Sequence, residues 1–87
     1  METTNYAIYK RTFRGSKLVD DELVGSPTTF QDAVAISALI VHNTNNFLVG
    51  NQLSDDLENY RYVIFPMDKE GNVDLNTQLY QTECYYE

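Results

Sequence analysis

The chain has 87 residues, and its 13 Asp and Glu against 6 Lys and Arg give a formal net charge of -7. This length accommodates one domain, and the single cysteine excludes both an internal disulfide and a cysteine-based zinc site. The charge repels nucleic acid and anionic membranes at long range and favours basic partners. No apolar run reaches the roughly 18 residues of a membrane span and no secretory signal pattern is present, so we expect a cytoplasmic protein.

The first elements predicted are two strands that form a hairpin. Residues 5–13 are rich in the aromatic and β-branched residues that favour strands, and residues 14–17 are typical of a turn. A second strand over residues 18–24 is predicted to be exposed, bulged or short, because strands disfavour the acids at its centre. These acids are Asp20, Asp21 and Glu22.

A helix is predicted over about residues 30–43. Its N terminus offers two capping boxes, Thr28 with Gln31 and Thr29 with Asp32. Between residues 33 and 41 only Ser37 is polar, whereas a helix on a sheet needs only an apolar stripe. We therefore expect a helix buried on one face of a sheet, with its other apolar side covered by the following loop or by another molecule.

The second half of the chain is predicted to complete the sheet. Residues 47–50 are a candidate short strand, and residues 54–58 are a candidate helical turn capped by Ser54. Residues 59–65 are the clearest strand, which Pro66 is expected to terminate, and residues 68–72 are typical of a hairpin loop. A return strand lies within residues 73–85. This order indicates a single α+β domain, in which one helix covers a mainly antiparallel sheet of four or five strands.

The sequence contains no specific motif for enzymatic chemistry. It has no phosphate-binding glycine loop, dinucleotide fingerprint or nucleophile elbow. His42 is interpreted as a helix-terminal residue that complements the helix dipole, and Cys84 as a small apolar strand residue. The acids of residues 68–74 lack the spacing of a calcium loop. We therefore predict that the protein is not an enzyme and uses no metal, cofactor or small-molecule substrate.

Acids and tyrosines carry the strongest functional signal. The chain has seven Tyr and no Trp, and Tyr favours protein interfaces because it combines apolar area with a hydrogen-bonding tip. Strand alternation puts Tyr60, Tyr62 and Ile64 on one face. We predict a module that binds a basic protein surface. Its predicted contacts are Asp55, Asp56 and Glu58 with Tyr60 and Tyr62 as anchors, and Asp20, Asp21 and Glu22 as a second patch.

The predicted role is that of an inhibitor or regulator, as small phage and mobile-element proteins often are. In a sharper version, carboxylates take the positions of phosphates and block a protein's nucleic-acid groove. Two alternatives stay open. The N-terminal hairpin is basic and would bind nucleic acid directly, or the apolar helix would pack on a partner in a homo-oligomer or a structural subunit. The basic residues of the hairpin are Lys10, Arg11, Arg14 and Lys17.

Overall fold

The computed structural model describes residues 2–44 and 56–87. These residues form β1 (Asn5–Arg14), β2 (Lys17–Gly25), α1 (Phe30–His42), β3 (Glu58–Met67) and β4 (Tyr80–Gln81). The strands make one antiparallel sheet in the order β2-β1-β3-β4, and α1 packs against β1 and β3. The predicted α+β fold is therefore confirmed. The predicted strand at residues 47–50 and the cap at Ser54 lie outside the described residues.

The central strand β1 pairs with β3 along its whole length, from Asn5 opposite Met67 to Arg14 opposite Glu58. Directly opposite residues of an antiparallel pair share a face of the sheet. We call the face against α1 the helix face. Its opposed pairs are Tyr6 and Pro66, Ile8 and Ile64, Lys10 and Tyr62, Thr12 and Tyr60, and Arg14 and Glu58. The remaining β1–β3 pairs lie on the outer face, which confirms the predicted alternation of β3.

The helix begins after Thr29, whose Oγ1 accepts a hydrogen bond from the Asp32 N–H at 3.1 Å. Its buried residues, Ala33, Ser37 and Val41, recur every fourth position and pack on the helix face. The opposite side stays open, with Ile36 43% and Leu39 62% exposed. The predicted range is thus confirmed to within one residue, but the helix is buried along only one stripe.

The prediction that Pro66 terminates β3 is wrong, because the strand continues to Met67. The backbone carbonyls of Ile64 and Pro66 accept hydrogen bonds from Leu79 and Asp74, on the side of β3 away from β1. A proline nitrogen has no hydrogen to donate. The free-energy cost of Pro66 therefore depends on whether a strand lies on that side of β3 to accept a backbone hydrogen bond. There the neighbouring segment forms only the two-residue strand β4, and few ladder bonds are lost.

The return strand is confirmed only in part, since it consists of β4 and two isolated bridges, Met67 to Val73 and Tyr60 to Tyr85. Beyond β4, Thr82 makes both bonds to Tyr62: its N–H donates to the Tyr62 carbonyl at 2.9 Å and its Oγ1 accepts from the Tyr62 N–H at 3.0 Å. Tyr60 and Tyr85 then exchange backbone bonds of 2.7 and 2.9 Å. Between these two pairs the C-terminal segment has one residue more than β3, and this extra residue forms a β-bulge.

We predict that Tyr85→Ala lowers the free energy of unfolding by about 3–5 kcal/mol. Tyr85 is 2% exposed, its ring stacks on that of Tyr62 with centroids 6.1 Å apart, and their hydroxyl oxygens are 3.2 Å apart. Tyr86→Ala is the matched control, because Tyr86 is 40% exposed and its loss is expected to cost about 0.5 kcal/mol or less. Urea unfolding of both variants measures the difference, and equal losses would contradict this assignment of the core.

Candidate functional site

The candidate site begins with acids that the register brings together on the helix face. Asp20 of β2 and Tyr60 of β3 lie on either side of Thr12, each directly opposite it. In the next row Glu22 of β2 lies opposite Lys10. Two acids of the second predicted patch and one predicted tyrosine anchor are therefore neighbours on one face, although some forty residues separate them in sequence.

Two further carboxylates join this group from other parts of the chain. Glu58 begins β3 on the same face, and Glu87 reaches back from the last residue to form an ion pair with Lys10 at 2.7 Å. The side chains of the group come from β2, from β3 and from the C-terminal segment. We call the group the acidic surface. It consists of Asp20, Glu22, Glu58, Tyr60 and Glu87.

Tyr60 lies within this surface and has contacts on three sides. Its hydroxyl donates to Glu58 Oε1 at 2.5 Å, Lys10 Nζ lies 4.5 Å from the centre of its ring, and the Tyr85 ring centroid is 5.5 Å away. The hydrogen bond to Glu58, followed by burial and by the charges of Glu58 and Glu87, raises the pKa of Tyr60 to about 12. The phenol is therefore neutral and held in place at physiological pH.

Lys10 is the cation that the acidic surface surrounds. Burial opposes its charge, but the hydrogen bond to Glu87 and the negative charges of Glu87 and Glu22 outweigh it and raise the pKa of Lys10. The lysine thus neutralises part of the surface, principally Glu87. Within the described residues neither Asp20 nor Glu22 has an ion pair, so the carboxylates of β2 are available to a partner.

The structure places two other predicted contact residues, Tyr62 and Asp21, outside this surface. Tyr62 shares the face but is 6% exposed under Tyr85, so it serves the core and is not a surface anchor. Asp21 points to the outer face, where its Oδ1 lies 3.4 Å from Arg11 Nε. Asp55 lies outside the described residues.

Asp56 is exposed and stands next to the β1–β2 turn, because the carbonyl of its neighbour Leu57 accepts a 2.8 Å bond from the Gly15 N–H. Asn59 reinforces this junction. It is fully buried, and its Nδ2 donates to the carbonyls of Gly15 at 3.0 Å and Leu57 at 3.2 Å. Asp56 is thus close to the tip of the hairpin, beyond the end of the acidic surface.

The residues of the basic hairpin do not form one continuous surface. Alternation places Lys10 and Arg14 on the helix face and Arg11 on the outer face. Lys10 is paired with Glu87 and Arg11 with Asp21. Arg14 and Lys17 face each other across the turn and are exposed. Among the basic residues of the hairpin, only Arg14 and Lys17 at its tip have no ion pair in the described part of the chain.

The outer face contains a basic pair that the sequence analysis missed. Arg11 and Arg61 lie directly opposite each other, an unfavourable position for like charges. Each guanidinium lies over a different aromatic ring: Arg11 Cζ is 5.0 Å from the Phe65 centroid and Arg61 Cζ is 4.4 Å from the Phe13 centroid. Cation–π contact stabilises this arrangement. Only the strand register, which the sequence does not state, could have identified the pair.

The predicted hairpin loop after β3 uses its acids internally. Asp68 Oδ1 accepts bonds from the N–H groups of Glu70 and Asn72, both at 2.9 Å, and Gly71 supplies a φ of 87°. The backbone hydrogen bond from Asn72 is the main cause that lowers the pKa of Asp68. Across residues 2–44 and 56–87, no group of three or more His, Cys, Asp or Glu could hold a metal ion.

A groove of about 300 Å³ runs between the C-terminal half of α1 and the last residues of the sheet. Val41 and Tyr80 supply its apolar wall, and His42, Gln81 and Glu83 supply exposed polar groups. Its volume is at the lower limit for small-molecule sites, and it lacks a convergent set of buried polar groups. The groove is therefore a weaker candidate than the acidic surface.

Comparison with known proteins gave no match among family models, curated proteins or solved structures. In the described ranges no helix combines the length and the apolar character that crossing a membrane requires.

We predict that stability falls in alkaline solution as Tyr60 becomes ionised. Its pKa is about 10 in the unfolded chain and about 12 in the folded one. The folded state holds this proton more tightly, so the stabilisation is complete below about pH 10 and is lost as the pH rises to about 12.

Ultraviolet absorbance of tyrosinate, compared between wild type and Tyr60→Phe, isolates this titration. Glu58→Gln keeps an acceptor but removes its charge, and is expected to move the pKa of Tyr60 towards its ordinary value. An ordinary Tyr60 pKa in the wild type, unchanged by Glu58→Gln, would contradict the described contact.

Proposed function

We propose that the protein is a non-enzymatic binding module that docks on a basic surface of another protein and acts as an inhibitor or regulator of it. The observation that supports this proposal is the convergence of four carboxylates from separate chain segments on one side of the sheet. Two of them come from β2, one from the start of β3 and one from the last residue. Tyr60 belongs to the same group, and its hydroxyl donates to Glu58.

The charge of this surface supports a basic partner. Lys10 forms its ion pair with Glu87 and Arg14 lies opposite Glu58, whereas Asp20 and Glu22 have no ion pair in the described part of the chain. Clusters of one sign steer partners of the opposite sign and fix their orientation, and they repel partners of the same sign. The net charge of -7 acts in the same direction at long range.

Tyr60 adds aromatic contact area to the acidic surface, which charged groups alone do not provide. An aromatic ring with a fixed hydroxyl adds contact area at a low cost in side-chain entropy. The ring is half-buried between Lys10 and Tyr85, so its orientation is set before a partner arrives. Carboxylates on a rigid sheet around a fixed ring resemble a short stretch of nucleic-acid backbone in charge. We propose mimicry of this kind as the sharper form of the function.

The exposed side of α1 supports a second candidate function. Ile36 and Leu39 are apolar, lie on one side of the helix and are 43% and 62% exposed. Apolar side chains exposed together are typical of a contact surface. This feature favours a structural or homo-oligomeric role over direct binding of nucleic acid, whose basic residues are divided between the two faces.

Affinity capture from a lysate of the source cell tests the main proposal. The bait is compared with Asp20→Asn/Glu58→Gln, which removes two charges from the acidic surface. We expect one stoichiometric protein partner, whose recovery falls roughly tenfold or more in the variant, and which nuclease does not affect.

Glu2→Gln/Glu70→Gln is the matched control. It changes the net charge by the same amount at two exposed positions outside the acidic surface, so capture is expected to persist. Equal loss of partner recovery in both variants would mean that binding depends on net charge and not on the acidic surface. A partner that withstands Asp20→Asn/Glu58→Gln, or capture that nuclease abolishes, would contradict the proposal.

A further inference from the structure

Among the described residues, β2 is an edge strand whose outer side is open. β2 is the terminal strand in the order β2-β1-β3-β4, and its residues are exposed from Lys17 to Val24. β1 occupies one side of β2, and no residue of the described ranges pairs with the other. An edge of this kind presents unpaired N–H and C=O groups, which can bind a further strand.

The direction of the hydrogen bonds identifies the groups that face outwards. The Tyr6 N–H donates to the Pro27 carbonyl, on the β2 side of β1. Because this direction alternates along a strand, Lys10 and Thr12 also bond towards β2. Their partners Glu22 and Asp20 therefore use their backbone groups within the sheet. Asp21 lies between Asp20 and Glu22, and Leu23 follows Glu22. Asp21 and Leu23 therefore direct their backbone N–H and C=O groups to the open edge.

Two bulges divide this edge into a polar centre and apolar ends. The register shifts leave one extra residue on β2 at Val19 and one at Val24. Residues 20–23 between them pair regularly with β1. The flanking apolar side chains are all 44–48% exposed; they are Leu18, Val19, Leu23 and Val24. A partner strand would therefore meet three acids at the centre and apolar groups at both ends.

The charges of the centre determine which strand fits. On the inner side, β1 places Lys10 opposite Glu22 and Arg11 opposite Asp21, so a basic strand is already the neighbour of these acids. A second copy of this chain would set acids against acids across the new pairing, which is destabilising. A basic strand would form favourable cross-strand pairs with Asp20 and Glu22, which have no ion pair in the described part of the chain.

We infer that β2 is a docking edge for an extended basic segment of a protein partner, which adds to the sheet as an outer strand. Lys or Arg side chains of the segment lie beside Asp20 and Glu22 on the helix face, and its apolar residues contact Leu18 and Leu23 on the outer face. The inference rests on the proposed function and specifies how part of the acidic surface is engaged.

Two synthetic peptides with the same charge test this mode of binding. The first alternates Lys and Val. The second has the same sequence with N-methyl groups on alternate backbone nitrogens, which removes the donors of one strand edge. We expect the first to bind more tightly by roughly tenfold or more and to slow the hydrogen exchange of the Asp21 and Leu23 amides, measured by nuclear magnetic resonance.

Leu23→Pro tests the same edge from the protein side. Proline removes the outward N–H of residue 23 and leaves the bonds between β1 and β2 in place, whereas the control Leu23→Thr keeps the N–H. We expect Leu23→Pro to lower affinity for the first peptide by roughly tenfold relative to Leu23→Thr. If Leu23→Pro does not fold, the peptide pair decides the question.

Equal affinity for the two peptides, or no binding of either, would overturn the docking edge. If both bind equally and Asp20→Asn/Glu58→Gln weakens both, the acidic surface binds cations without adding a strand, and the proposed function stands. If the captured protein partner is unaffected by Asp20→Asn/Glu58→Gln, the proposed function itself fails, whatever the peptides do.

Discussion

The pairing of β1 with β3 is the constraint on which the acidic surface depends. A slip of one residue would move Lys10 and Thr12 to the outer face and leave Tyr60 without its cation. Burial fixes the register at one end, where Ile8 lies opposite Ile64 under the helix. At the other end the buried Asn59 holds the hairpin turn, because its Nδ2 donates to the backbone carbonyl of Gly15. A slip would break both, so the position of the charges follows from the packing of the core.

The C-terminal segment shows how core and surface are connected. Tyr85 completes the core by stacking on Tyr62, and two residues later Glu87 binds Lys10 beside Tyr60. The residues that close the sheet therefore also supply one carboxylate of the acidic surface. The same register separates the remaining charges, because Arg11, Arg61 and Asp21 lie together on the outer face. A chain of mixed charge thus brings four carboxylates together on one side of the sheet, beside Lys10 and Arg14.

Local patterns were sufficient to predict the α+β fold, the helix and the alternation of β3, since propensity, capping and period depend on neighbouring residues. Contacts between distant segments were not predictable in this way. Tyr62 has the same sequence signal as Tyr60, and only the position of Tyr85 makes one a core residue and the other a surface residue. The grouping of Asp20 and Glu22 with Glu58 required the register across three strands. Period-two alternation alone, however, indicates that Asp21 faces away from its neighbours.

The most direct test of this account is the register itself, measured by nuclear magnetic resonance. Interstrand contacts between Hα protons occur for the closely spaced pairs of an antiparallel ladder. Because Thr12 bonds towards β2, its pair with Tyr60 is closely spaced, and a contact between the Hα protons of Thr12 and Tyr60 is expected. Contacts of Thr12 with Asn59 or Arg61 instead would show a register shifted by one residue. The acidic surface would then not exist as described.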